Sequence, residues 1–302
     1  MKVSIITINY NNLAGLEKTR DSILRQTYYN YEWIVIDGGS NDGSKEFIVE
    51  HADEMLYWCS EKDNGVYNAQ NKGTSHATGD YCIYMNSGDI FYDEYVLEEV
   101  FSESRDEDVI YGDWVQVFHD GKEKYIEPSD DIDYAFFFVD NICHQAMFIK
   151  TSLLKESPYD ESYRLYADWA KWTELAYQGK KFKYIHIRIC YFMMNGKSTE
   201  NEDNNARERE RIIKEYYPGS LKSMMEKWKE FTAVHNKLIR YSQNGDQHNE
   251  MRSQQIMKAI VEKMEVLRKK NKKHLKQVRY LLYANIVFVL SFIITVWYLC
   301  YH

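Results

Sequence analysis

Over the first hundred positions apolar residues gather into short unbroken runs, and stretches with helical spacing separate the runs. Val3–Asn9 is a β-branched run of the kind found in parallel strands buried on both faces. Leu13, Leu16, Thr19/Arg20, Ile23 and Leu24 then recur at helical intervals. A second strand, Glu32–Ile36, ends at Asp37, and GGSNDGS is a turn that opens a helix through Ile48. A third strand around Met55–Trp58 passes through SEKDNG into a helix ending near His76. A fourth, Tyr81–Met85, runs into NSGD. Strands alternating with helices predict βαβ crossovers and a mostly parallel, Rossmann-like α/β sheet with helices on both faces.

After residue 105 the pattern loosens. DVIYGDW and VQVFHDG read as strands and a candidate pair, followed by an acidic, aromatic-rich connection, PSDDIDYAFFFVDN. HQAMFI is strand-like, Asp168–Tyr177 is a helix, and KFKYIHIRICYFMMNG supplies one or two more strands. From about Asn205 the character is helical. Leu221, Met224/Met225, Trp228 and Phe231 form one stripe; Ile256, Ile260, Met264 and Leu267 form another, with the hinge-like SQNGDQHNE between them. The expected organisation is a catalytic body over 1–204, a helical stalk over 205–279 and a terminal helix over 280–301.

Charge sharpens the last of these. The chain of 302 residues carries −8 overall, yet Gln255 to Arg279 holds nine Lys/Arg against two Glu, a local +7 that leaves −15 for the rest. An acidic body argues against a nucleic-acid partner. The basic collar precedes 22 uncharged residues, Tyr280–Tyr301, which as a helix span about 33 Å, enough for a bilayer core of about 30 Å. Tyr280 and Tyr283 at one end, and Trp297, Tyr298 and Tyr301 at the other, suit the two interfaces. A single C-terminal anchor in the inner (plasma) membrane is therefore expected, with residues 1–279 cytoplasmic by the positive-inside rule. The start, MKVSIITINY, reads as a strand rather than a cleavable signal. Cys59, Cys82, Cys143, Cys190 and Cys300 are scattered without a C-x-x-C pair, which disfavours structural zinc and a disulfide framework.

Asp37, Asp63 and Asp89 each lie just past a predicted strand and are spaced 26 residues apart, one βα unit. In open α/β sheets ligands bind outside the carboxyl ends of the strands, so these acids among glycines predict a polar cleft. DGGSNDGS is not G-x-G-x-x-G, and no Walker loop or G-x-S-x-G elbow occurs, which disfavours dehydrogenases, P-loop enzymes and α/β-hydrolases.

VSIITINYNN, WIVIDGGSNDGS, EKDNGVYNAQNKG, GDYCIYMNSGD and the aromatic-rich segment around Asp168, in this order over residues 1–200, resemble a family 2 glycosyltransferase of the GT-A fold. The nearest flavour is the bacterial group that builds O-antigen and other surface polysaccharides. The resemblance implies that Thr7, Asn9 and Tyr10 cup a nucleotide base and that Asp37 hydrogen-bonds it. It further implies that Asp63 and Gly65, with Asn71 and Lys72 behind them, contact the nucleotide-sugar donor. The family's D-x-D metal block aligns with Ser87, Gly88 and Asp89, leaving one carboxylate, Asp89, for Mg²⁺ or Mn²⁺, with Ser87 acting through water. Asp168 matches the family's general base, its other reading being a helix N-cap. One base without a covalent intermediate implies inversion at the anomeric carbon. Asp113 and His144 are acceptor-side candidates, each with a structural reading of equal weight. The expected activity is non-processive transfer from a nucleotide sugar, a UDP-sugar foremost, to a glycan or lipid-linked acceptor. The several membrane spans and Q-x-x-R-W block of processive synthases are absent from the sequence. The alternative is a non-catalytic sugar-nucleotide-binding scaffold, favoured by the missing metal carboxylate.

Overall fold

A computed structural model describes residues 1–194 and 202–219, apart from Asp131, Asp133, Ala135 and Pro218. All of these lie in one compact unit, Met1–Lys222. The stripes at 221–231 and 256–267, the basic collar and the apolar 280–301 segment lie outside the described residues. Among the described residues no helix is long and apolar enough to cross a membrane.

The first half follows the hydrophobic pattern closely. β1 (Val3–Asn9), β2 (Tyr31–Asp37), β3 (Tyr57–Ser60) and β4 (Tyr81–Tyr84) alternate with α1 (Leu13–Leu24), α2 (Ser44–Glu50) and α3 (Val66–His76). Their order in space is β3-β2-β1-β4, all parallel. Ile5, Ile34, Ile36 and Ile83 are fully buried. Burial on both faces is why these strands read as continuous apolar runs. Helix α3 lies tight against the sheet because residue 73 is glycine: a Cβ there would stand 2.5 Å from Ile6 Cγ2.

The second half departs from a mostly parallel sheet. It contains β5 (Ile90–Phe91), β6 (Val109–Val117), β7 (Glu123–Ile126), β8 (Met147–Lys150) and β9 (Phe182–Met193). The sheet continues β4-β8-β6-β9-β5, with β7 paired to β6. Only β6/β9 is parallel here; β4/β8, β6/β8, β6/β7 and β5/β9 are antiparallel. The whole sheet is therefore mixed. The physical reason is connectivity: β6 and β7 are joined by a tight turn, which only antiparallel neighbours permit. Strands expected as DVIYGDW and VQVFHDG are one continuous strand, β6. Gly112 gives it this continuity, since a Cβ there would lie 2.4 Å from the Ile187 carbonyl where β9 bulges.

Helices α4 (Val96–Phe101), α5 (Phe136–Val139), α6 (Thr151–Glu156), α7 (Ala167–Tyr177) and α8 (Glu202–Tyr216) complete the described body. α8 covers the expected start of the stalk near Asn205. It is tied into the body: the Arg209 guanidinium stacks over the Trp169 ring of α7 at 5.0 Å, and Arg211 bridges to Asp160 at 2.8 Å.

Candidate active site

The register of the parallel strands sets Asn9 beside Asp37 and Asp37 beside Ser60 at their carboxyl ends. Asn9 Nδ2 donates to Asp37 Oδ1 at 2.8 Å. Asp37 also accepts the Ser40 hydroxyl at 2.5 Å, the Ser60 hydroxyl at 2.6 Å, and the backbone N–H groups of Ser40 and Gly39 at 2.9 and 3.2 Å. Burial pushes this carboxyl up, but the hydrogen bonds from Ser40, Ser60 and Asn9 outweigh it and hold Asp37 below its ordinary value. Fully buried and saturated with donors, Asp37 shapes the GGSN loop rather than presenting oxygens to the cleft.

The loop that it shapes brings a slot together. A Cβ on Gly38 would lie 2.8 Å from Asp63 Oδ2 and 3.2 Å from Tyr10 Cδ2. Tyr10 is 55% exposed. Asp63 accepts the Gly65 N–H at 2.9 Å through its other oxygen, at the left-handed turn (φ 116°) that starts α3. An aromatic ring and a carboxylate oxygen meet over a bare glycine backbone. Such a slot accepts a flat heteroaromatic ring bearing an N–H donor.

Three other donor-side candidates are occupied by the fold. The Thr7 hydroxyl is buried and accepts the Trp33 indole N–H at 2.9 Å. Asn71 clamps α3 to the segment before α7: its amide donates to the Tyr159 carbonyl and to Glu161, and its oxygen accepts the Tyr159 N–H, all at 2.9 Å. Lys72 pairs with Glu61 at 2.7 Å within the loop after β3, and that bond raises its pKa.

The NSGD segment after β4 is held from α1. The Thr19 hydroxyl donates to the Asp89 carbonyl at 2.7 Å and accepts the Gly88 N–H at 2.9 Å; Asn12 donates to the Ser87 carbonyl at 2.7 Å. Asp89 is only 5% exposed, and its two oxygens accept the Gln145 amide at 2.7 Å and the Met193 N–H at 3.3 Å. Burial pushes its carboxyl up to about 6, against the lowering effects of Gln145 and His144. Mg²⁺ is commonly held by one or two carboxylates together with substrate phosphates and waters. Here Asp89 is the one carboxylate of the block, its neighbours Asn86 and Ser87 are neutral, and no group of three or more His, Cys, Asp or Glu placed to hold a metal occurs among the described residues. Each Asp89 oxygen takes one hydrogen bond and keeps a second acceptor site.

Asp168 lies in the first turn of α7, two residues past the cap position, Tyr166. It is 9% exposed. Oδ1 accepts the Trp169 N–H at 2.7 Å and the Tyr67 hydroxyl at 3.2 Å, while Oδ2 faces His144 Nδ1 at 3.2 Å. His144 Nε2 lies 3.0 Å from the Asn86 amide nitrogen. Burial raises the Tyr67 phenol well above its usual range, so it remains a donor. A hydrogen-bonded line thus runs Asp168–His144–Asn86, joining α7, the turn before β8 and the end of β4. Tyr67 and Asn86 were missed as site residues from sequence, although both sit inside the blocks EKDNGVYNAQ and MNSGD. Asp113 stands apart from this line: it is buried on β6 and accepts the hydroxyls of Tyr125 and Tyr184.

Comparison with known proteins decides the family. The profile described as Glycosyl transferase family 2 matches residues 4–195. The chain belongs to glycosyl transferase family 2. Among curated relatives of this family 2 chain, a PGL/p-HBAD biosynthesis glycosyltransferase of Mycobacterium bovis (BCG / Pasteur) is 34% identical over 173 residues, 55% of this chain and 66% of that protein. An uncharacterised glycosyltransferase of Mycobacterium tuberculosis is 43% identical over 90 residues, 30% of this chain and 34% of its own length. The chain spans just under two thirds of the length of the first of these and about a third of the second. Among solved structures, S. aureus TarS 1-349 in complex with UDP-GlcNAc aligns with a TM-score of 0.58 at 16% identity, over 74% of this chain and 70% of that one. The UDP complex of the same protein aligns at 0.56 and 14%, over 70% and 64%. At these identities the likeness is one of fold, and it is the GT-A fold. In the family 2 glycosyltransferase described here, the Tyr10–Gly38–Asp63 slot and the Asp168–His144–Asn86 line both sit past the carboxyl ends of the strands.

Proposed function

We propose that this chain is an inverting, non-processive glycosyltransferase that uses a nucleotide-diphosphate sugar, a UDP-sugar foremost, and transfers to a hydroxyl of a glycan or lipid-linked acceptor in cell-surface polysaccharide synthesis. What carries the reading is the line Asp168–His144–Asn86, which ties the family's base position to the loop after β4. The base stacks on Tyr10, with Asp63 accepting a ring N–H. The acceptor hydroxyl gives its proton to the Asp168 carboxylate while its oxygen attacks the anomeric carbon from the face opposite the leaving group. The bond from that carbon to the diphosphate oxygen breaks, its electron pair leaves with the nucleoside diphosphate, and the configuration inverts. Tyr67, Trp169 and His144 keep the carboxylate in one orientation, which is where a positioned base gains its roughly 10²–10⁴-fold effect. Asp89 is the residue that would hold a divalent ion, which would stabilise charge on the departing diphosphate. The basic collar and apolar 280–301 segment support action at the cytoplasmic face of the inner membrane, within reach of a lipid-linked acceptor.

Release of UDP from UDP-GlcNAc and UDP-glucose by the full chain tests the reading, with Asp168→Asn alongside. Turnover in the wild type and its loss in Asp168→Asn, with UDP binding kept, supports the enzyme. The single carboxylate of the NSGD block favours a second reading, a sugar-nucleotide-binding scaffold. Tight UDP binding without turnover of any donor selects that instead.

A further inference from the structure

Asp168 is delivered by a short loop, Arg164–Tyr166, that precedes α7. Three consecutive backbone N–H groups of this loop converge on one side chain from a distant part of the chain. Glu208 of α8 accepts the Arg164 N–H on Oε1 at 2.7 Å, and the Leu165 and Tyr166 N–H groups on Oε2 at 3.0 Å each. Successive amides arranged in this way form an anion-binding nest. Here the anion is the protein's own. On the other side of the same loop, the Tyr67 hydroxyl donates to the Leu165 carbonyl at 2.6 Å and also lies 3.2 Å from Asp168 Oδ1. The loop is thus gripped from α8 through its donors and from α3 through its acceptor, immediately before the carboxylate.

We propose that Glu208 is a positioning residue for Asp168: its carboxylate fills the 164–166 nest and fixes where α7 begins, so the helix after the catalytic sheet is part of the machinery. The inference rests on the reading of Asp168 as general base. Without Glu208, three amides turn to water and the loop keeps only its contacts through Tyr67 and through Tyr166, whose carbonyl accepts the Ala170 N–H and whose ring packs on Trp169, so Asp168 loses its fixed distance to His144. The donor slot at Tyr10, Gly38 and Asp63 is built from other elements and keeps its geometry. A displacement of about 1 Å at a reacting group costs on the order of 10²-fold in rate. Glutamine at 208 presents one acceptor oxygen. Placed where Oε2 stands, it retains two of the three bonds, so the conservative variant regains much of the loss.

The test uses the full chain, UDP release from UDP-GlcNAc, UDP binding by calorimetry, and amide hydrogen exchange over residues 160–170. Glu208→Ala is expected to lower kcat by on the order of 10²-fold with KM and UDP affinity unchanged. Glu208→Gln is expected to fall between it and the wild type, and Glu210→Ala, which removes an exposed carboxylate of the same helix, to match the wild type. Exchange at 164–166 should be slow in the wild type and fast in Glu208→Ala. A Glu208→Ala enzyme with wild-type kcat overturns the proposal. So does a Glu208→Gln enzyme as impaired as Glu208→Ala, or a loss that appears equally in UDP affinity. If Glu208→Ala does not fold, the exchange measurement still decides: amides 164–166 of the wild type exchanging as fast as an exposed loop overturn the proposal. A wild-type chain that binds UDP and turns over no donor removes the enzymatic reading itself, an outcome separate from any behaviour of the Glu208 variants.

Discussion

Glu32 lies at the amino-terminal end of the parallel strands, opposite the cleft, and it is 6% exposed. Its carboxylate accepts the Ser4 hydroxyl at 2.6 Å, the Thr78 hydroxyl and N–H at 2.5 Å each and the Gly79 N–H at 3.3 Å, and it pairs with Lys2. These contacts join β1, β2 and the segment that leads into β4, and so support the register that places Asn9 beside Asp37. Burial pushes the carboxyl up, yet the bonds from Lys2, Ser4 and Thr78 prevail and bring it down from 4.5 to about 2. A depressed folded-state pKa contributes stability that is complete above the unfolded value and is lost as pH falls toward the folded one. At about 1.4 kcal/mol per pH unit, the drop from 4.5 to about 2 corresponds to about 3 kcal/mol at neutral pH, with about 2 kcal/mol of it gone by about pH 3. Glu32→Gln removes the titration. Urea unfolding of both proteins between pH 7 and pH 3 should give a stability difference that is flat down to about pH 5 and then shrinks. A difference equally large at pH 3 and pH 7 refutes the assignment of this stability to the ionised carboxylate.

The remaining predictions concern the site and its support. Asp168→Asn should abolish donor turnover while leaving UDP affinity intact, measured by UDP release and calorimetry. Gly73→Ala should destabilise the protein in urea by about 1–3 kcal/mol, because overpacking against Ile6 outweighs the helix propensity gained, which is at most about 1 kcal/mol. Adding Mn²⁺ should tighten UDP binding by the wild type and not by Asp89→Ala, measured by calorimetry; an affinity that Mn²⁺ leaves unchanged contradicts a metal role for Asp89.

The parallel half of the fold was legible because a strand covered on both faces must be apolar throughout, and four such runs stand at regular intervals. The mixed half was not. Its pairings depend on a tight β6–β7 turn and on a bulge at Gly112, and neither leaves a periodic trace. The acids spaced by 26 residues marked the right edge of the sheet, but spacing says nothing about which oxygens are free. Asp37 is saturated by its own loop, Asp89 is buried and accepts from Gln145 and Met193, and Asp63 alone of the three opens onto the slot. His144 and Asp168 are 24 residues apart in sequence, and Tyr67 lies farther still from Asp168. Their meeting depends on the Tyr67 side chain of α3 and His144 before β8 both reaching the start of α7. That packing is tertiary, and no local pattern encodes it.

The proposed activity requires that the slot over Gly38 receive a nucleotide. Gly38→Ala introduces one methyl group, 2.8 Å from Asp63 Oδ2 and 3.2 Å from the Tyr10 ring, at a position with no backbone strain to relieve. Calorimetric titration of the full chain and of Gly38→Ala with UDP, GDP and dTDP measures this directly. The account predicts that UDP saturates one site in the wild type and that the methyl group weakens it by at least about tenfold, or about 1.4 kcal/mol. A folded wild-type chain that binds none of the three, or a Gly38→Ala chain that binds UDP as tightly as the wild type, contradicts it.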